Sequence, residues 1–97
     1  MLHIVNQSPF ARSCLADCLR VCDAQAALIL IEDGVYAALA GSEWAQRMVE
    51  KTGKVYALDV DITARGLTGK IAAAIISLDY AGFVQLCCEH PTSHSWY

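Results

Sequence analysis

The chain has 97 residues, of which 56% are hydrophobic and 18% charged, and its formal net charge is −3. This length predicts one domain over residues 1–97 with one core, and the excess of apolar over charged side chains predicts association into an oligomer. The lack of any Lys/Arg run argues against direct nucleic-acid binding, and the longest apolar runs, 26–31 and 71–76, fall far short of the roughly 20 residues that span a bilayer.

Three short apolar runs flanked by turn-forming residues predict β-strands at residues 2–6, 26–31 and 54–58. Helical stretches lie between them, so the order is strand, helix, strand, helix, strand. This order predicts an α/β fold with a single-layer, mostly parallel sheet flanked by helices.

The first helix is predicted to begin at Ser8, a capping residue, with Pro9 in the first helical position. At about 100° per residue, one half of this helix is apolar and Cys18 lies near the centre of that half. The apolar half holds Phe10, Ala11, Cys14, Leu15, Cys18, Leu19, Val21 and Cys22.

The remaining elements follow from glycine and proline positions and from local periodicity. A helix is predicted after Asp33-Gly34, another over 42–51, and a short turn that starts at Asp61 or Thr63. A strand is predicted near 74–78, then a helix over 80–90 that Pro91 ends, and an extended or irregular tail over 92–97.

Five cysteines are an odd number without the spacing of a disulfide framework. The first residues, MLHIVNQ, lack the features of a secretory signal, so we expect a cytoplasmic, reducing location and free thiols.

The stripe Cys14, Cys18 and Cys22 has three interpretations. Three thiols at i, i+4 spacing can converge on a soft metal, although ligands along a single helix lack the turn geometry of usual zinc sites. Cys18 can be an inert core residue, or one of these cysteines can be a working thiol, for which Arg12 or Arg20 can favour the thiolate and Cys14 lies closer to the positive end of the helix.

The segment CCEHPTSH places Cys87, Cys88, His90 and His94 close together in the sequence. These residues are zinc ligands by type, but their spacing matches no standard zinc motif, and structural or solvent-exposed roles are favoured. His3 lies within the first strand and is predicted to be a hydrogen-bonded histidine near the core.

Glu32 and Asp33 follow the second strand, at the edge where open α/β sheets bind ligands. The simpler interpretation is that Asp33 caps the next helix. The chain has no glycine-rich nucleotide loop, nucleophile elbow or Ser/His/Asp arrangement, so no cofactor is predicted.

Four separated motifs, MLHIVNQSPF, IEDGVYAAL, KVYALDVDITARGLTGKI and DYAGFVQLCCEHPTSHSWY, resemble the TusB/DsrH family of sulfur-relay proteins, in register from residue 1 to 97. The resemblance implies a DsrE-like, flavodoxin-related three-layer fold. It also implies a heterohexamer with TusC/DsrF-like and TusD/DsrE-like subunits, which exchanges persulfide sulfur with TusA-like and TusE/DsrC-like carriers.

In the TusBCD branch such a complex serves 2-thiolation of the tRNA wobble uridine, and in the DsrEFH branch it serves dissimilatory sulfur oxidation. Many DsrH members carry a first-helix cysteine that aligns with Cys18, so the resemblance makes Cys18 the candidate sulfur carrier and favours the DsrH branch. The principal acceptor cysteine belongs to the TusD or DsrE subunit.

Three functions therefore stay open at this point. The chain is a persulfide carrier through Cys18, a non-catalytic scaffold whose cysteines pack the core, or a small metal-binding protein. The isolated chain can also form a homo-oligomer through the surface that its partners would cover.

Overall fold

The structure of the protein, a computed structural model, describes residues 1–97. Five strands form one sheet in which every neighbouring pair is parallel, in the order β4-β3-β2-β1-β5. The strands are β1 (Leu2–Val5), β2 (Ala27–Leu30), β3 (Val55–Leu58), β4 (Ile76–Leu78) and β5 (Ser93–Trp96). The predicted α/β class with a sheet flanked by helices is confirmed.

The strands are joined by four α-helices and one 3₁₀ helix. These are α1 (Cys14–Val21), the 3₁₀ helix (Glu32–Ala38), α2 (Glu43–Lys51), α3 (Asp59–Ala64) and α4 (Tyr80–Glu89). The predicted helices over 42–51 and 80–90 and the strand near 74–78 are confirmed. None of the helices is long and apolar enough to cross a membrane.

The two faces of the sheet are covered unequally. One face carries a core of 16 buried residues drawn from the strands and from α1, the 3₁₀ helix, α2 and α3. The other face carries a core of four buried residues, of which Leu86 of α4 is the helical member. The chain runs outward from β1 to β4 and then returns past three strands to β5, and the connection that makes this return carries α4 on the second face.

The predicted start of the first helix at Ser8 and Pro9 is wrong. The Ser8 carbonyl accepts the N–H groups of Ala11 and Arg12 at 3.1 and 3.0 Å, and its hydroxyl accepts that of Phe10 at 3.2 Å. These bonds close a separate turn, and α1 begins only at Cys14. Phe10 therefore lies outside the helix and is 69% exposed, contrary to its predicted place on the apolar face.

Two further elements differ from the prediction. The helix expected after Asp33-Gly34 is a 3₁₀ helix that already includes both residues. The turn expected to start at Asp61 or Thr63 is α3, which begins at Asp59 directly after β3.

The tail, predicted to be extended or irregular, is extended and forms β5 alongside β1. Its predecessor Thr92 already accepts the N–H group of Leu2 at 3.0 Å.

Candidate functional site

The cysteine stripe of α1 faces the sheet of its own chain. Cys18 is completely buried in the larger core, together with Leu15 and Leu19 of the same helix. Cys22 is 3% exposed and its N–H group donates to the Cys18 carbonyl at 2.9 Å, whereas Cys14 is half-buried. The predicted position of Cys18 at the centre of the apolar face is confirmed, and that face lies against the sheet within this chain.

Burial makes the Cys18 thiol a poor nucleophile. Loss of solvation raises the pKa of Cys18 from 9.0 to about 12, and the neighbouring Cys22 adds to this increase. Burial also raises the pKa of Cys22, with a further contribution from Asp23. Since the thiolate is the reactive form, roughly one Cys18 in 10⁵ is ionised at pH 7.

The arginines that could stabilise a thiolate on α1 point elsewhere. Arg20 forms an ion pair with Asp17, one turn earlier on the exposed side of the helix. Arg12 lies in the turn before the helix and is exposed. Neither arginine is among the groups that set the pKa of Cys18, so the predicted cationic assistance is not present for this residue.

The accessible cysteines lie on the other side of the molecule. Cys87 and Cys88 are exposed in the last turns of α4, near His90, which follows the helix. His94 lies in β5, with its ring 4.5 Å from that of Trp96. Nowhere in the chain do three or more His, Cys, Asp or Glu residues come together as a group that could hold a metal ion.

Asp33, the second of the two acidic residues after β2, forms an ion pair with Arg65, which directly follows α3. Asp33 accepts a hydrogen bond from Nε of Arg65 at 2.9 Å, and Arg65 also contacts the Asp61 carboxylate at 3.4 Å. The hydrogen bond that Arg65 donates to Asp33 raises the pKa of Arg65, so the guanidinium stays charged. The prediction that Asp33 caps a helix is wrong, because the capping position is Ile31 and the Asp33 side chain is taken up by Arg65.

Glu32 completes this edge of the sheet. Its φ angle of +50° lies in the left-handed region, and its N–H group donates to the Asp61 carboxylate at 2.7 Å. Next to it, Gly34 packs so closely on β1 that a Cβ atom would lie 2.3 Å from the Val5 carbonyl oxygen. At this edge the Asp61 carboxylate therefore holds the Glu32 backbone, and the exposed Asp33 carboxylate is paired with Arg65.

His3 is hydrogen-bonded near the core, as predicted. The indole Nε1 of Trp96 donates to its Nδ1 at 3.1 Å, which ties β1 to the edge strand β5. Sequence reasoning missed this pair and Arg65, because their partners lie 93 and 32 residues away along the chain. Only the strand order and the position of α3 bring them together.

Comparisons with known proteins were made for the whole chain. Residues 7–93 match the family model described as "DsrH like protein". The chain is 41% identical over 96 residues to Protein TusB of Escherichia coli strain K12, covering 99% of this chain and 100% of the relative. Protein TusB of Escherichia coli O1:K1 / APEC is 40% identical over the same length.

A solved structure shows the same fold. The crystal structure of the ychN protein from E. coli superimposes with a TM-score of 0.79 over 97% of each chain, at 17% sequence identity.

Proposed function

Since the chain belongs to the TusB/DsrH family, we propose that it is a subunit of a sulfur-relay complex. The observation that carries this proposal is the 41% identity with Protein TusB over essentially the full length of both chains. Both Escherichia coli relatives named above are TusB proteins, which favours the tRNA-thiolating branch over the sulfur-oxidising branch. The proposal places the complex in the cytoplasm, where thiols remain reduced.

The proposed role of this subunit is to dock its partners, while a TusD/DsrE-like subunit carries the sulfur. The burial of Cys18 supports this division of labour. A sulfur carrier must present a thiolate to another protein's persulfide, whereas Cys18 is completely buried and its pKa is raised to about 12. Cys18 then serves as a small apolar residue that packs α1 against the sheet.

The side of the molecule that carries α4 is the proposed docking surface for the TusC/DsrF-like or TusD/DsrE-like subunit. Tyr80 and Val84, one turn apart on α4, are 63% and 59% exposed, and Ile76 on the preceding strand is 53% exposed. Before Glu89, α4 carries no charged residue. A helix that is apolar on its outward side normally lies against another apolar surface.

Co-expression of the chain with TusC-like and TusD-like subunits tests this docking role. We expect a stable heterohexamer in size-exclusion chromatography, and we expect Val84→Arg to prevent its assembly while leaving the isolated chain folded. Arg47→Glu, a change on the exposed side of α2, is the matched control and should assemble normally. Assembly of the Val84→Arg variant at wild-type yield would contradict the proposed surface.

The second candidate function, persulfide transfer through Cys18, rests on the alignment of Cys18 with the first-helix cysteine of DsrH proteins. Intact mass spectrometry of the complex after incubation with a persulfide-loaded TusA-like donor distinguishes the two functions. For the docking role, the mass of one sulfur atom appears on the TusD-like subunit and not on this chain. A sulfur adduct on this chain that disappears in Cys18→Ala would instead establish the carrier role.

A further inference from the structure

A cavity of about 440 Å³ lies beside the C-terminal end of α1, above β1 and the edge strand β5. It is separate from the cysteine stripe and from α4, and the proposed docking role does not use it. Its lining includes His3, Val21, Asp23, Ala26, His94 and Trp96. Its volume falls within the range typical of sites for small molecules.

The deepest polar group of this cavity is the imidazole of His3. His3 is only 5% exposed, and its Nδ1 accepts the hydrogen bond from the Trp96 indole. A neutral imidazole that accepts at Nδ1 carries its proton on Nε2. That Nε2–H group forms no hydrogen bond within the chain and is not fully enclosed by it, so a donor of fixed orientation is open to a molecule bound in the cavity.

The ring stays in this form near neutral pH. Burial lowers the pKa of His3, and the nearby His94 and the amino group of Met1 lower it further, while Asp23 acts in the opposite direction. The Nε2–H group is therefore a neutral donor, which suits a carbonyl oxygen better than it suits a cation or a metal ion.

The rest of the cavity supplies apolar walls and the Asp23 carboxylate as an acceptor. Trp96 offers a half-buried aromatic surface, and Val21 and Ala26 add aliphatic contacts. Asp23 accepts the N–H groups of Gln25 and Ala26 through Oδ1, both at 3.0 Å, which leaves Oδ2 without a partner. The charged groups beside the cavity are the Asp23 carboxylate and the amino group of Met1, which also lines it.

We propose that this cavity binds a small planar amide, a ring that carries a carbonyl acceptor and an N–H donor. The carbonyl oxygen accepts from Nε2–H of His3, the ring packs against Trp96, and the N–H group donates to Oδ2 of Asp23. A ligand of this kind gives the Nε2–H group of His3 the partner that it lacks within the chain.

Titration of the ¹⁵N-labelled full-length chain with benzamide, followed by NMR, tests the proposal. The chain has two tryptophans, so each indole N–H gives its own signal. We expect benzamide to shift the Trp96 indole signal in a saturable way and to leave that of Trp44, which lies on α2, unchanged. Uracil, a cyclic amide, should shift the same signal, and benzylamine, which lacks the carbonyl, should not.

Two variants locate the bound molecule. His3→Phe removes the donor and should weaken benzamide binding by about two- to tenfold, the effect of one lost hydrogen bond. Val21→Phe is a change at a 62% exposed position that narrows the cavity without altering His3, and it should weaken binding even if His3→Phe fails to fold.

Three results would overturn the proposal. These are the absence of a saturable Trp96 shift, equal binding of benzamide and benzylamine, and unchanged binding in Val21→Phe. Binding of benzoate as tightly as benzamide would equally reject it, because benzoate has no N–H group to donate to Oδ2 of Asp23.

Discussion

Alkylation of the native protein tests whether the Cys18 thiol is reactive or only packs the core. At a fixed pH near 7, the increase of the Cys18 pKa from 9.0 to about 12 lowers its thiolate population about a thousandfold relative to an ordinary cysteine. A thiolate of higher pKa is intrinsically more nucleophilic, with a Brønsted coefficient of about 0.4–0.5, and this returns a factor of roughly 20–30. Ionisation alone therefore slows alkylation of Cys18 by about 30–50-fold.

Burial slows the reaction further, because iodoacetamide reaches a completely buried sulfur only after local or global opening of the chain. We expect Cys87 and Cys88 to be modified first, and Cys18 and Cys22 only at the rate of opening. Addition of urea near the unfolding midpoint should bring all five cysteines toward one rate. The exposed pair on α4 serves as the internal control within each sample.

Tryptic peptides report the individual sites. Cleavage after Arg12 and Arg20 leaves Cys14 and Cys18 on one peptide, residues 13–20, whose fragment ions distinguish the two sulfurs, and Cys87 and Cys88 lie on the peptide 71–97. Modification of Cys18 within a few-fold of the rate of Cys87, in the folded chain or in the complex, would refute the argument that Cys18 is a packing residue.

Three further predictions concern the framework around these sites. Gly34→Ala should lower the free energy of unfolding by at least about 3 kcal/mol in urea denaturation, because the added Cβ would lie 2.3 Å from a backbone oxygen. The control Gly66→Ala, in open space at φ +69°, should lower the free energy of unfolding by only about 1 kcal/mol. Equal losses in the two variants would contradict the packing argument. Arg65→Met should lower the free energy of unfolding by about 0.5–1 kcal/mol. Adding Asp33→Asn to this variant should lower it little further, because the ion pair at 2.9 Å is already lost. Additive losses in the double variant would show that this pair contributes nothing to stability. The pKa of His3 is lowered on folding, so at about pH 6.5 and below the unfolded chain binds a proton more readily than the folded chain. The free energy of unfolding should therefore fall as the pH falls from 7.5 to 5.5. The urea midpoint of His3→Phe should fall less over this range, and an identical pH dependence in the variant would exclude His3 as the cause.

The strands and the burial of Cys18 could be predicted from the sequence because both depend on local patterns. Apolar runs such as 26–31 are typical of parallel strands covered on both faces, and the period of α1 places Cys18 opposite its polar side. The first helix start was mispredicted because Ser8 and Pro9 are equally suited to an isolated turn. In the structure the Ser8 oxygens are used up by residues 10–12, so the helix must begin later.

The side-chain partners could not be predicted, since they depend on the strand order. The return of the chain from β4 to β5 brings Trp96 beside His3, and nothing in the local sequence around either residue specifies that crossing. In the same way, Asp33 has the sequence position of a helix cap. Only the placement of α3 reveals that it pairs with Arg65 instead.

The environments of the cysteines also rank them as candidates for sulfur chemistry. Cys18 lacks both access and a stabilising charge. Cys87 and Cys88 are exposed in the last turns of α4, on the opposite face of the sheet from α1. Cys14, the first residue of α1, is half-buried and is therefore more accessible than Cys18. If this chain accepts sulfur at all, the geometry favours Cys14 over Cys18, and the fragment ions of peptide 13–20 decide between them.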